Sequence, residues 1–231
     1  DVSGFLMADP RIVSNPMPIT HITYSELREL SYMGASVLHE EAIFPVKESN
    51  IPIHILNTNR PQDPGTIIQE TSAIPRKYSI TGIAGKPGFM SIYIYKKHMS
   101  NEIGYIRKVL SILENYGVSV EHIPSGIDSF TIIVNRNEIE NSLYEILHKI
   151  QKEVKPDELK TKDDIALIST VGKSMSHQPG VAGRLFKALG EEGVNIIMIA
   201  QDINEINITV GVAEKDRQRT IECIYREFVS H

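Results

Sequence analysis

Gly104–Gly126 reads GYIRKVLSILENYGVSVEHIPSG, and the same grammar returns at Gly180–Asp202, GVAGRLFKALGEEGVNIIMIAQD, at a constant offset of 76 residues. Each stretch reads as a helix, a tight glycine stop, a short apolar strand and a polar turn. Gly104 answers Gly180, Val109 answers Leu185, Leu113 answers Leu189, Gly117 answers Gly193, and Val118 answers Val194. An ungapped match of this length marks an internal repeat, and the repeat sets the architecture. In the first copy Ile106, Val109, Leu110 and Leu113 fall at i, i+3, i+4 and i+7, which predicts one buried stripe with Arg107, Lys108 and Glu114 off it. Gly117 supplies the left-handed stop.

Outward from the first helix, Gly104–Tyr116, strands are expected at Tyr78–Ala84 and Met90–Tyr95, parted by Gly85-Lys86-Pro87-Gly88. A strand at Val118–Ile123, a turn at Pro124–Asp128 and a strand at Phe130–Val134 follow. A helix over Asn137–Gln151 should bury Ile139, Leu143, Ile146 and Leu147, and the charged stretch Lys155–Asp164 reads as a boundary. The second copy gives strand Ile165–Val171, helix Gly180–Leu189, strands Val194–Ile199 and Ile206–Val212, and helix Asp216–Phe228. Each unit reads β-α-β-β-α, with two helices on one face of an antiparallel sheet. That is the ferredoxin-like, split-βαβ arrangement, an α+β fold.

Residues 1–73 have a different style. The loop DVSGFLMADPRIV, with its Asp9-Pro10 turn, leads to a helix over Tyr24–Met33 stopped by Gly34. A short helix at Glu40–Glu48, strands at Ile51–Asn57 and Thr66–Gln69, and a linker at Glu70–Arg76 complete this part. Domains are therefore expected at 1–73, 74–158 and 159–231, with strands of the last two interleaved.

The chain has 231 residues, 41% hydrophobic and 23% charged, with a net charge of −5 and a pI near 5.9. This balance opposes a nucleic-acid or anionic-membrane surface, which needs a positive field. The single cysteine, Cys223, excludes an intrachain disulfide and a multi-cysteine metal site, and its apolar helical setting reads as a buried, inert thiol. No run approaches the ~18 apolar residues of a membrane span. A reducing cytoplasm is the default. The start at Asp1, inside what reads as a working loop, suggests the later part of a longer protein.

Chemistry concentrates in the first copy. Gly104 feeds a helix N-terminus, where backbone amides and the positive helix end suit a carboxylate. Glu121 lies in an apolar strand where the second copy has Ile197. A buried charge needs a partner, and an ammonium would supply one, with Ser119 and Ser125 adding hydrogen bonds. The same glutamate on an alternating strand would equally point to solvent. The second copy lacks the acid but has Asn195, Gln201 and Asp202, and reads as an assembly element. His122 and His177 lack nucleophile or metal partners, Asp163 and Asp164 read as a solvated strand start, and no metal, P-loop or nucleophile-elbow spacing occurs. Tyr93 and Tyr95 on a strand would suit RNA stacking, without the basic residues such a surface needs.

DVSGFLMADPRIV resembles the end of the amino-acid-kinase domain of aspartokinases, whose pattern is T-D-V-x-G-(I/V)-Y-x-x-D-P-R, and MGASVLHEEAIFPVKESNIPIHILNT and RPQDPGTII continue it. The repeats resemble tandem ACT domains; PGVAGRLFKALGEEGVNI matches the ACT signature, and GIAGKPGFMSIYI with EHIPSGIDSFTIIV looks like the lysine-sensitive aspartokinase III type. The resemblance implies ATP, with Mg2+, as a substrate of the parent enzyme, contacted here by Asp1, Gly4, Leu6, Asp9 and Arg11. Leu6 replaces the family tyrosine, and Ser36 replaces the family lysine. The implied effector site comprises Met99, Glu102, Gly104, Ile106, Ser119, Val120, Glu121, Ser125 and Gly126. Two acids there, Glu102 and Glu121, favour L-lysine over L-threonine. The resemblance further implies an aspartate kinase under feedback inhibition and a homodimer or larger through ACT pairing. No catalytic residue, metal site or bound cofactor is assigned to this stretch, which should not catalyse alone. Two rivals remain: a separate amino-acid-sensing module acting on a partner protein, and, more weakly, a ferredoxin-like RNA binder.

Overall fold

Two fourteen-residue strands, Gly82–Tyr95 and Glu158–Val171, organise the molecule, a computed structural model that describes residues 2–35, 46–49, 51–70 and 77–229. In chain order the strands are β1 (Phe5–Leu6), β2 (Pro18–Ile19), β3 (His21–Ile22), β4 (Ile53–Ile55), β5 (Thr66–Ile68), β6 (Gly82–Tyr95), β7 (Val120–His122), β8 (Ser129–Asn135), β9 (Glu158–Val171), β10 (Ile196–Ala200) and β11 (Asn207–Ala213). The helices are α1 (Tyr24–Tyr32), α2 (Tyr105–Asn115), α3 (Arg136–Ile139), α4 (Leu143–Lys149), α5 (Val181–Glu191) and α6 (Arg217–Val229). Of the helix expected at Glu40–Glu48, residues 46–48 are helical and 40–45 lie outside the described residues, as do Asp1, Ser36 and most of the expected linker.

The chain divides into two compact units, Pro87–Ala166 and a composite of Asp1–Lys86 with Leu167–His231. In the first, the sheet order is β7-β8-β6-β9, with Met90, Ile92 and Ile94 directly opposite Val134, Ile132 and Phe130. Asp157 N donates to Tyr95 O at 2.9 Å where β9 joins β6. In the composite unit the order is β10-β11-β9-β6, and Thr81 N donates to Val171 O at 2.7 Å. Each sheet is thus a complete four-stranded ferredoxin-like sheet. The fourth strand of the first comes from the start of β9, and that of the second from the start of β6.

Three expectations change. The two strands parted by Gly85–Gly88 are one strand, β6. Gly85 is a packing site rather than a breaker, because a Cβ there would lie 2.9 Å from Ile221 Cδ1, and Gly88 continues the strand at φ +88°. The charged boundary Lys155–Asp164 is largely strand: β9 begins at Glu158, and Asp163 and Asp164 lie within it, not at its start. The helix over Asn137–Gln151 is broken, because the N–H of Ser142 turns back onto Ile139 O at 2.9 Å. A π-helical turn, Ile150–Val154, then follows α4. Its wider winding offsets the drift of a four-residue spacing on an α-helix and keeps Ile146, Ile150 and Val154 buried together.

The stripe on α2 is also displaced. Tyr105, Val109, Ile112 and Leu113 are buried, while Ile106, Leu110, Leu143 and Leu147 pack at the core's edge. Tyr105 meets Phe130 edge-to-face, with centroids 6.3 Å apart and planes at 88°.

In the composite unit β3, β5 and β4 form a small sheet, parallel between β3 and β5, beside the β1-β2 ribbon. Thr23 and Glu26 form a capping box that starts α1. Glu26 is fully buried and its carboxylate also accepts from Thr81 Oγ1 at 2.7 Å and Lys173 N at 2.6 Å. One side chain therefore ties α1 to the entrance of β6 and the exit of β9.

Candidate functional site

The edge strand of each repeat carries a bulge at the same place. On β7, Val120 faces Val134 and His122 faces Ile133, so Glu121 is the extra residue. On β10, Ile196 faces Val212 and Met198 faces Gly211, so Ile197 is its counterpart. Bulges re-aim side chains at sheet edges. One copy aims an acid, the other a hydrocarbon.

Beside the first bulge, α2 and β7 enclose an open groove of about 800 Å3. Ser119, Val120 and Glu121 line it, while the other six residues proposed for the effector site do not. Arg107, Ser111 and Glu114 supply its helical wall. Arg107 and Glu114, expected off the core stripe, share an i, i+7 row on α2 that the helical pattern alone does not assign to a neighbouring strand.

Those six residues lie on the loops at either side. Met99 is buried in a short 3-10 turn, and Glu102 follows it, paired with Lys108 at 2.7 Å. The second negative charge expected for a dibasic ligand is therefore offset within the chain. Gly104 caps α2 at φ +77° without a side-chain cap, and Ile106 sits in the first helical turn. Ser125 bridges to Phe130, and the Gly126 N–H donates to Ser129 O at 2.7 Å. The Tyr105 hydroxyl is buried without a hydrogen-bond partner among the described residues, and burial, then the charges of Glu102 and Asp157, push its pKa up to about 12.

In the second copy a groove of about 300 Å3 lies at the start of α5, lined by His177, Gly180, Gln201 and Glu205 among others. Asp202 is turned inward to its own hairpin, accepting from Ile203 N at 2.7 Å and Asn204 Nδ2 at 2.8 Å. The His177 ring is solvated, and its backbone N–H donates to Glu205 at 2.7 Å.

The residues read as nucleotide contacts sit around β1. Gly4 takes φ +98°, and a Cβ there would lie 2.4 Å from Thr66 Oγ1. Leu6 is exposed on β1. Asp9 accepts from Arg11 Nε at 3.0 Å and Nη2 at 2.7 Å, and that hydrogen-bonded guanidinium holds the Asp9 carboxyl below its ordinary range. One edge of Arg11 is thus committed to Asp9, and its guanidinium is exposed.

Cys223 is buried, its Sγ 3.3 Å from Ala188 O, and burial raises its pKa, as an inert thiol requires. Among the described residues, no three His, Cys, Asp or Glu side chains gather as metal ligands, and no helix is long and apolar enough to cross a membrane.

The amino acid kinase family model matches residues 1–57, and the ACT domain model matches residues 168–228. The chain is 39% identical to aspartokinase 3 of Bacillus subtilis over 232 residues, 99% of this chain and 50% of that protein. It is 30% identical to the chloroplastic aspartokinase 1 of Arabidopsis thaliana, over 99% of this chain and 40% of that protein. The crystal structure of Clostridium acetobutylicum aspartate kinase aligns with a TM-score of 0.95 at 51% identity, over 99% of this chain and 53% of that one. Escherichia coli aspartokinase III in complex with lysine and aspartate aligns at 0.81 over 99% of this chain and 50% of that one, but at 23% identity this speaks for the fold alone. The chain spans about half the length, or less, of the curated relatives it matches. Residues 1–57 thus match the amino acid kinase family and residues 168–228 an ACT domain, and over 99% of its length the chain is similar to aspartokinases.

Proposed function

We propose that this chain is the regulatory, C-terminal part of an aspartate kinase whose first ferredoxin-like unit senses an amino acid, L-lysine in preference to L-threonine. The parent enzyme transfers the γ-phosphate of ATP, with Mg2+, to the β-carboxylate of L-aspartate and opens lysine, threonine and methionine synthesis. Phosphoryl transfer of this kind is mainly positioning and charge stabilisation. Gly4, Leu6, Asp9 and Arg11 contribute a partial nucleotide contact; Arg11 acts through the half of its fork that Asp9 leaves open. The enzyme works in the cytoplasm as a homodimer or larger assembly paired through its ACT domains.

The observation that carries the sensor reading is Glu121 at a bulge whose counterpart is Ile197. A carboxylate re-aimed into a groove suits an ammonium, and a hydrocarbon does not. The E. coli enzyme, solved in complex with lysine and aspartate, shares this fold. An effector shifts the enzyme only by its differential affinity for two states. Titration calorimetry with lysine, threonine and methionine tests the reading. Lysine should give heat and raise the melting temperature, and Glu121→Ala should abolish both while leaving the circular dichroism unchanged. Silence from all three amino acids sinks the sensor; heat from threonine alone overturns the choice of lysine.

A further inference from the structure

The segment that leads to Asp9 and Arg11 is held from one side by the connection between β4 and β5. Ser3 Oγ donates to Asp63 Oδ2 at 2.6 Å and accepts from Asn57 Nδ2 at 3.0 Å. Two residues on, Phe5 N donates to the Thr66 hydroxyl at 2.8 Å, and that buried hydroxyl donates in turn to Ile19 O at 2.5 Å. Between them Gly4 adopts its left-handed conformation with no room for a Cβ against Thr66. Asp63 and Asn57 of the connection thus hold the Ser3 side chain, and Thr66 at the start of β5 holds the Phe5 backbone, on the two sides of a glycine with no room for a Cβ.

The donor directions matter. The Ser3 proton is spent on Asp63, and Asn57 occupies one of its oxygen lone pairs. Asp63 is the strongest acceptor in the set, since hydrogen bonds to a carboxylate are shorter and stronger than neutral ones.

We infer that Asp63, through Ser3, is a positioning residue that fixes the Val2–Phe5 turn for nucleotide binding. This rests on the nucleotide role proposed above for Gly4, Asp9 and Arg11. Asp63 contacts no nucleotide in this account; it sets the angle at which β1 delivers Asp9 and Arg11.

The test is steady-state kinetics on the full-length protein with ATP and aspartate varied separately. Asp63→Ala should raise the KM for ATP about fivefold, the size of one lost hydrogen bond, and Ser3→Ala, which also loses the Asn57 bond, at least as much. The kcat and the KM for aspartate should stay within about twofold, the pattern of lost uniform binding. Because Ser3→Ala already removes the bond to Asp63, the double variant should be no worse than Ser3→Ala alone. Ser3→Thr keeps the hydroxyl and should restore the wild-type KM, which a general loss of folding would not allow. An unchanged KM for ATP in both single variants, or additive effects in the double, overturns the inference. Arg11→Ala is the control. If it raises the KM for ATP while the Ser3 and Asp63 variants do not, only the positioning role falls. If it too changes nothing, the nucleotide reading falls and the inference with it.

Discussion

Glu121 and Ile197 occupy the same bulge in two copies of one strand, and the contrast extends to what surrounds each copy. The first copy closes over its own core within Pro87–Ala166, where Met90, Ile92, Phe130 and Ile132 meet α2 and α4. The second is fastened to the segment before it. Ile83 N donates to Met7 O at 2.7 Å, Met17 N to the Tyr225 hydroxyl at 2.9 Å, and Asn207 Nδ2 to Glu29 at 2.5 Å. A unit that answers a ligand needs latitude to shift, and a unit that holds a neighbouring domain needs none. The two copies have therefore diverged in anchoring as well as in chemistry.

Glu26 is where that difference is most exposed to attack. Its carboxylate satisfies Thr23, Thr81 and Lys173 while fully buried. Glu26→Ala strands several buried donors at once, so the composite unit should lose about 3 kcal/mol. Hydrogen exchange read by mass spectrometry localises the loss. Amides of β10 and β11 should exchange faster, while those of β8 keep their protection. Equal loss in both units would show that the first copy does not stand on its own core.

Much of this arrangement could be read from residues alone. The ungapped repeat gave both ferredoxin-like units, and the helix expected over Tyr24–Met33 with its Gly34 stop is α1; the Thr23–Glu26 capping box that starts it came with the structure. The exchange of fourth strands was harder to place, because Gly85, Pro87 and the charges of Lys155–Asp164 look like breakers. They are strand because tertiary pairing overrides local propensity, and Gly85 is small to admit Ile221. The groove wall was missed for a related reason. Arg107 and Glu114 read as solvated, and no pattern in a helix says which polar row faces a neighbouring strand. The bulge at Glu121 depends on register, which hydrophobic alternation in a three-residue strand does not specify.

The glycine caps offer a finer comparison, since the copies share them. Gly104 and Gly180 take φ of +77° and +92°, and neither has an atom within ordinary contact of an added Cβ except Arg107 Nε at 3.7 Å. Conformation, not space, demands glycine at both. Gly104→Ala and Gly180→Ala should therefore each cost roughly 1 kcal/mol in urea unfolding. Only Gly104→Ala should weaken lysine binding as well. A matching loss of binding in Gly180→Ala would assign the second copy a share in the sensor.

Tyr105 gives the smallest effect and a pH signature confined to the first copy, because its counterpart is Val181. Its pKa, near 10 in an unfolded chain, is pushed up to about 12 by burial and then by Glu102 and Asp157. The folded state then keeps a proton that the unfolded state releases, so its contribution to stability is intact below pH 10 and is lost as pH rises from about 10 towards 12. Tyr105→Phe should flatten that loss. At neutral pH it removes a hydroxyl that has no partner among the described residues, so stability should be unchanged or rise by up to about 1 kcal/mol. Urea titrations of both proteins at pH 7 and pH 11 measure the two effects together. A drop of more than about 1 kcal/mol at pH 7 would mean that the hydroxyl is bound, through water or another group, and that the core beneath Gly104 holds a polar contact the second copy lacks.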